Sequence, residues 1–225
     1  LQERGADYLG VASIDEGIRL RKAGLNLPIL ILSLVLKKDI APLFRYRLTP
    51  TLCAEDLALA LNNKARRLGL RINVHIKVDT GMGRIGVSHQ DAFQLVKNIH
   101  KLKFINIEGI FTHFPCAGMN KDFTLHQVDL FEHLIHRLNK AGYNIPLVHA
   151  ANSIGVIDYK RSHFNMVRPG LVIYGLYPKE NLKINLKAVL SLKTKVIFIK
   201  KVPAGSGISY GHEYVTKKST KIATL

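Results

Sequence analysis

Asn73-Val74-His75-Ile76-Lys77-Val78-Asp79-Thr80-Gly81-Met82-Gly83-Arg84-Ile85-Gly86-Val87 decides how this chain is read. The stretch opens as an apolar-rich strand and runs into a glycine-dense turn that carries one arginine. Three glycines within six residues let the backbone take positive φ and let a ligand come close. An arginine held in such a turn is well placed to meet an anion or a ring oxygen. Other segments repeat the arrangement, with a polar group directly after a buried strand.

On the N-terminal side, Tyr8 to Ser13 reads as a strand. Ser13 then caps a helix from Ile14 to Ala23, which Gly24 ends. Pro28–Ser33 and Leu48–Cys53 are strands, Asp39–Tyr46 and Ala54–Leu68 helices, and Gly69 stops the second helix. On the C-terminal side, a helix starts at Ser88 or His89 and runs to Leu102, with Ala92, Phe93, Val96 and Ile99 at helical spacing. Ile105–Phe114, Leu147–Ala151 and Met166–Leu176 read as strands, and Phe123–Ala141 and Ser153–Tyr159 as helices. The strands look apolar along their length, as strands covered on both faces should. Such alternation argues for parallel β/α architecture, a barrel or an open sheet. After Pro178 the pattern changes. Ala188–Val202, Ile208–Val215 and Thr220–Leu225 follow one another without a helix, so an antiparallel β domain begins there. The expected division is residues 1–182 and 183–225.

The bulk properties agree with a folded, globular chain. It has 225 residues, 47% hydrophobic and 22% charged, enough for a substantial core. No apolar run approaches the roughly 18–20 residues of a membrane helix. Cys53 and Cys116 are far apart and in no Cys-x-x-Cys pair, which points to reduced thiols of a cytoplasmic protein. The formal charge is +17. Its lysines and arginines are spread over helix faces and loops, with no arginine-rich arm, zinc finger or RNA-binding aromatic motif. That pattern fits a solvated basic surface suited to anionic small molecules better than a nucleic-acid partner. Leu1-Gln2-Glu3-Arg4-Gly5 reads like the middle of a helix and Lys221–Leu225 like an unfinished strand, so both ends are expected to be cut.

In a β/α barrel, functional groups gather at the C-terminal ends of the strands. Those ends hold Lys77 and Arg84, Thr112-His113-Phe114, His149-Ala150-Ala151-Asn152-Ser153, and Arg168-Pro169-Gly170-Leu171. Taken singly, each has an ordinary reading: a packed histidine, a surface salt bridge, and for Tyr210 a strand aromatic. Lys77 is less ordinary, because a buried ammonium needs a partner or a modification. Gly81–Gly86 also fits the dinucleotide fingerprint G-x-G-x-x-G. Against that, Asp79-Thr80 separates strand from first glycine, the expected cap Ser88 follows the third glycine, and Glu108 lies inside its strand. His113 and Cys116 are too sparse for a metal site.

With these residues in view, the sequence closely resembles the bacterial alanine racemases, pyridoxal-phosphate enzymes of fold type III. The resemblance rests on Lys77–Gly86, Gly109–Phe114, His149–Ser153, Val167–Gly170 with Tyr174-Gly175-Leu176, and Ser209-Tyr210-Gly211, in the family's order. It implies a partial (β/α)8 TIM-type barrel followed by the start of a C-terminal antiparallel β domain. It implies a homodimer and the interconversion of L- and D-alanine, which supplies D-alanine for peptidoglycan.

By matching position, Arg84 resembles the arginine that contacts the cofactor's ring oxygen and the substrate. Lys77 resembles the carbamylated lysine that orients that arginine. His113 resembles the histidine beside the ring, His149 the one that supports the arginine, and Arg168 the arginine facing the pyridine nitrogen. Asn152, Ser153, Gly170 and Leu171 fall where the family holds the cofactor, the last three at its phosphate. Tyr210 resembles the catalytic tyrosine that serves the partner subunit, and the His113–Arg168 pair could favour its ionised form. The family's cofactor-bearing lysine lies upstream of these residues. The 225-residue piece is therefore expected to be inactive by itself. Two alternatives stay open: a racemase for another small amino acid, and a non-catalytic pyridoxal-phosphate-binding barrel.

Overall fold

The computed structural model describes residues 2–225. The chain divides into two compact units, one ending at Leu186 and a second, Lys187–Leu225. The first unit is a parallel half-barrel sheet covered by helices. Its strands are β1 (Leu9–Val11), β2 (Ile29–Leu34), β3 (Thr49–Leu52), β4 (Ile72–Asp79), β5 (Val87–Ser88), β6 (Ile105–Phe111) and β7 (Leu147–His149). The order is β1-β2-β3-β4-β6-β7, every pair parallel, with β5 continuing the sheet beside the end of β4. Helices return the chain between strands: α1 (Ile14–Lys22), α2 (Ile40–Arg45), α3 (Glu55–Leu68), α4 (Ala92–His100), α5 (Lys121–Lys140) and α6 (Ser153–Asp158).

Local chemistry explains the boundaries. Ser13 Oγ accepts from Glu16 N at 3.2 Å and starts α1, and Asn120 Oδ1 accepts from Phe123 N at 3.0 Å and starts α5. Gly69, left-handed at φ 65°, ends α3. Along α5, Thr124, Gln127, Val128, Phe131, Leu134 and Leu138 are buried, the three-and-four spacing of one helix face. Its apolar members join Leu61, Ala65, Val96, Val74, Ile76 and Val78 in a continuous core between sheet and helices.

Three sequence expectations change. Ser88 pairs with Asp79 instead of starting a helix, and α4 begins only at Ala92. The expected strand Met166–Leu176 shrinks to one parallel bridge, Met166 to His149, before a 3-10 turn over Leu171–Tyr174. Pro169 has no N–H for a ladder, which stops the pairing there. The third concerns β4, which alternates and is not apolar throughout. Val74, Ile76 and Val78 face the helices, whereas Asn73, His75, Lys77 and Asp79 share the other face.

The second unit carries two short antiparallel pairs, β8 (Phe198–Val202) with β11 (Thr220–Thr224), and β9 (Gly207–Ile208) with β10 (Tyr214–Val215). The alternating run from Ala188 enters a ladder only at Phe198, where β11 supplies a partner.

The turn after β4 is clamped by Asp79, whose Oδ1 accepts from Gly81 N at 2.9 Å and Met82 N at 2.8 Å, and whose Oδ2 accepts from Gly83 N at 2.9 Å. Gly83 is left-handed at φ 67° with open space around it. Gly86, at φ 139°, would carry a Cβ only 2.7 Å from Asp79 N. Gly83→Ala should therefore cost about 1 kcal/mol, and Gly86→Ala more than about 2 kcal/mol, because only the latter drives a side chain into backbone. Urea unfolding of the two variants checks the order; equal losses would refute the close approach at Gly86.

Candidate functional site

The C-terminal ends of β4, β6 and β7 open onto a cavity of about 770 Å³. Lys77, Arg84, His113, Asn152, Ser153, Arg168, Gly170 and Leu171 all line it, as does Phe111. The structure thus brings together the whole sequence-derived set of the first unit except His149, which sits fully buried directly behind Arg168. Tyr210 belongs to the second unit, in a tight turn between Ser209 at φ 61° and Gly211 at φ 71°, with its side chain exposed.

Arg168 organises the floor. Its backbone N–H donates to Ala151 O at 2.9 Å, which ties the segment after Met166 to the end of β7. Its guanidinium donates to His149 Nδ1 at 2.5 Å, to Thr112 O at 2.7 Å and to Ala150 O at 3.1 Å, and lies 5.0 Å from the Phe111 ring centre. Among the described residues it pairs with no carboxylate. Desolvation pushes its pKa down to about 9, which still leaves it cationic at neutral pH. A guanidinium only donates, so His149 Nδ1 must be the acceptor and His149 a neutral imidazole protonated on Nε2. Burial, the Arg168 charge and then His75 hold His149 well below the usual histidine range, in agreement.

The contacts continue away from the cavity. His149 Nε2 is 2.8 Å from His75 Nδ1, and His75 Nε2 faces Glu108 Oε2 at 3.6 Å. Glu108 accepts from Tyr8 Oη at 2.6 Å and from Asn73 Nδ2 at 2.8 Å. Sequence reasoning misses His75 and Tyr8 here, and weighs Glu108 only for a dinucleotide role. The signal lies in the alternation Asn73-x-His75-x-Lys77-x-Asp79, which puts four polar groups on one face of a strand that ought to be buried.

The remaining groups that line the cavity are also cationic or neutral. Lys77 is buried on β4 with Nζ 5.4 Å from the Phe111 ring centre. Burial, then the charges of Arg84 and Arg168, lower its pKa, against the pull of Asp79. Burial and the charges of Arg168, Lys77 and Arg84 push His113 down to about 4. At Asp79 burial raises the pKa, but the N–H donors of Gly81, Gly83 and Met82 outweigh it and the carboxyl stays ionised. Ser153, at the start of α6, accepts from Gly170 N at 3.0 Å, which leaves its own hydroxyl proton to donate. Asn152 caps α6 through Gly155 N at 3.0 Å and donates to Phe114 O at 3.2 Å. A cavity lined by two arginines, a lysine whose charge burial disfavours, a neutral histidine and a serine hydroxyl suits an anionic ligand.

Known proteins resemble this chain along nearly its whole length. The family model for the alanine racemase N-terminal domain matches residues 1–178, and that for the C-terminal domain residues 189–225. The alanine racemase of Halothermothrix orenii is 46% identical, covering 100% of this chain and 60% of its own length. A solved alanine racemase from Clostridium difficile 630 superposes with a TM-score of 0.86 at 36% identity, over 99% of this chain and 60% of that one. The histidine racemase of Leuconostoc mesenteroides superposes with a TM-score of 0.75 at 26% identity, again over 99% and 60%. The chain therefore spans about 60% of the length of the curated relatives it matches.

The depressed histidines make stability depend on pH. His113 is neutral in the fold down to about pH 4, but charges near 6.5 once unfolded. Its contribution is complete above 6.5 and is lost as pH falls from 6.5 to about 4, a loss of about 3 kcal/mol from this residue. Urea unfolding across that range should show a steep fall in stability for the wild type and a shallower one for His113→Gln. Parallel curves would mean that His113 is not kept neutral by the fold.

Proposed function

This chain belongs to the alanine racemase family, and on that basis we propose that the whole protein uses pyridoxal phosphate to interconvert L-alanine and D-alanine. The observation that carries the reading is Arg168, a cation lining the cavity whose hydrogen bonds go to neutral acceptors only. The residues present fit this cofactor. An arginine opposite a pyridine nitrogen donates a hydrogen bond without giving up its proton, so that nitrogen stays unprotonated. Ser153, Gly170 and Leu171 would hold the phosphate, Asn152 and His113 would flank the cofactor, and Arg84 would meet its ring oxygen and the substrate carboxylate.

Bound pyridoxal phosphate supplies the electron sink that acidifies the Cα–H of the amino acid. The protein's part is to place proton carriers beside that carbon. Tyr210 Oη is the group that takes or returns the proton on the L-alanine side, acting in the partner subunit of a homodimer. A phenol needs a cationic neighbour to ionise near neutral pH; of the expected His113–Arg168 pair only Arg168 would supply that charge, because burial and the surrounding cations keep His113 neutral. Lys77 is carbamylated in the working protein. Its amine adds carbon dioxide and releases a proton, and the resulting anion orients Arg84. The lowered pKa of Lys77 favours the neutral amine that such a reaction needs. D-alanine so formed would serve peptidoglycan in the cytoplasm. Among the described residues no helix is long and apolar enough to cross a membrane.

A racemase for another amino acid is the second reading, because a histidine racemase shares the architecture. The complete protein with pyridoxal phosphate should convert L-alanine to D-alanine, and Tyr210→Phe should slow removal of the L-alanine α-proton by about 100-fold or more while the cofactor stays bound. A wild type that binds pyridoxal phosphate yet leaves alanine untouched, and acts on a different amino acid, would move the function to the second reading.

A further inference from the structure

Behind Arg168 lies a row of polar side chains, buried at His149 and His75 and reaching the surface at Asn73, that the proposed chemistry does not use. It passes from Arg168 through His149 and His75 to Glu108, with Tyr8 and Asn73 holding the far carboxylate. Each contact has only one possible polarity. The guanidinium donates to His149 Nδ1, which leaves the His149 proton on Nε2. That proton points at His75 Nδ1, 2.8 Å away, so the His75 proton sits on Nε2, opposite Glu108 Oε2. Tyr8 stays a phenol, because burial and its bond to Glu108 raise its pKa far above the ordinary value. The Tyr8 proton therefore also points at the carboxylate, and the hydrogens of the row run outward from cation to anion.

We propose that His75 and Glu108 are positioning residues: they lock His149 in the Nε2–H tautomer and so aim the Arg168 guanidinium at the cavity. In the other tautomer, His149 would present Nδ1–H to the guanidinium, donor against donor, and Arg168 would lose that contact. The other close neighbour of His149 is the Phe111 ring face, stacked at 4.8 Å and 7°, which offers neither tautomer a partner. Packing keeps His75 in register for this role. A Cβ on Gly109, its cross-strand neighbour, would overlap the His75 ring, so only glycine fits there. His75 Nε2 has no hydrogen-bond partner within normal range and is fully buried, so its link to Glu108 is electrostatic at this separation.

The inference rests on the racemase reading for its consequence, but its test does not. Tautomer-sensitive 15N resonances of the purified protein, without cofactor, should show His149 and His75 each protonated on Nε2 alone. His75→Leu removes the acceptor and should let His149 populate the Nδ1–H form. His75→Asn, whose Oδ1 can take the place of the ring Nδ1, should restore the single tautomer. Glu108→Leu removes the acceptor that faces His75 Nε2 and should free His75 in the same way, and serves if His75→Leu does not fold. A His149 tautomer that is unchanged in folded His75→Leu and in folded Glu108→Leu overturns the proposal. In the complete protein, His75→Leu should lower the rate of alanine racemisation about 10- to 100-fold, as loss of supporting contacts does elsewhere, with recovery in His75→Asn. Absence of racemisation in the wild type would overturn the functional reading alone, since the resonances still decide the role of His75.

Discussion

An arginine shut away from carboxylates governs this structure. Arg168 has three hydrogen bonds, to a histidine nitrogen and two carbonyl oxygens, and an aromatic face below it. Neutral acceptors satisfy its donors without cancelling its charge. Burial of a cation on those terms is unfavourable until an acceptor or an anion arrives. The neighbouring groups obey the same rule. His113 and His149 are driven neutral, Lys77 is driven toward neutrality, and the ionised Asp79 spends its charge on the backbone of the turn. Arg168 thus keeps its positive charge in reserve, which favours an anionic ligand.

The sheet makes this arrangement possible by giving β4 two different faces. Val74, Ile76 and Val78 anchor the strand in the helix-covered core, so the polar face can be occupied by His75 and Lys77 without loss of the fold. Parallel pairing with β6 and β7 then places Phe111 and His149 beside that polar face at fixed heights. The turn after β4 is equally determined. It needs glycines at Gly81, Gly83 and Gly86 and an acidic residue at Asp79 to bring Arg84 back over the cavity.

Much of this is legible in the sequence, for identifiable reasons. Alternation of apolar strands and amphipathic helices points to the parallel half-barrel, because each element must bury one face. The loss of helices after Pro178 points to the antiparallel strands. Arg84, His113 and Arg168 stand out as polar positions at the ends of apolar runs, Asn152, Ser153, Gly170 and Leu171 through the family resemblance, and all of them line one cavity. The partnership of His75 with Glu108 is hidden, since it joins residues 33 positions apart through a sheet register that no local pattern encodes. The start of α4 is misplaced because Ser88 has the chemistry of a cap, yet the backbone there pairs with Asp79 first. The strand beyond Met166 is overextended because apolar content alone does not reveal that Pro169 cannot continue a ladder.

The site depends on Arg168 being a true cation held by a neutral His149. Neutron diffraction from deuterated crystals locates the relevant deuterons directly. The expected result is a fully deuterated Arg168 guanidinium and, on His149, a deuteron on Nε2 with none on Nδ1. A deuteron on Nδ1 of His149, or a guanidinium lacking one, would contradict it.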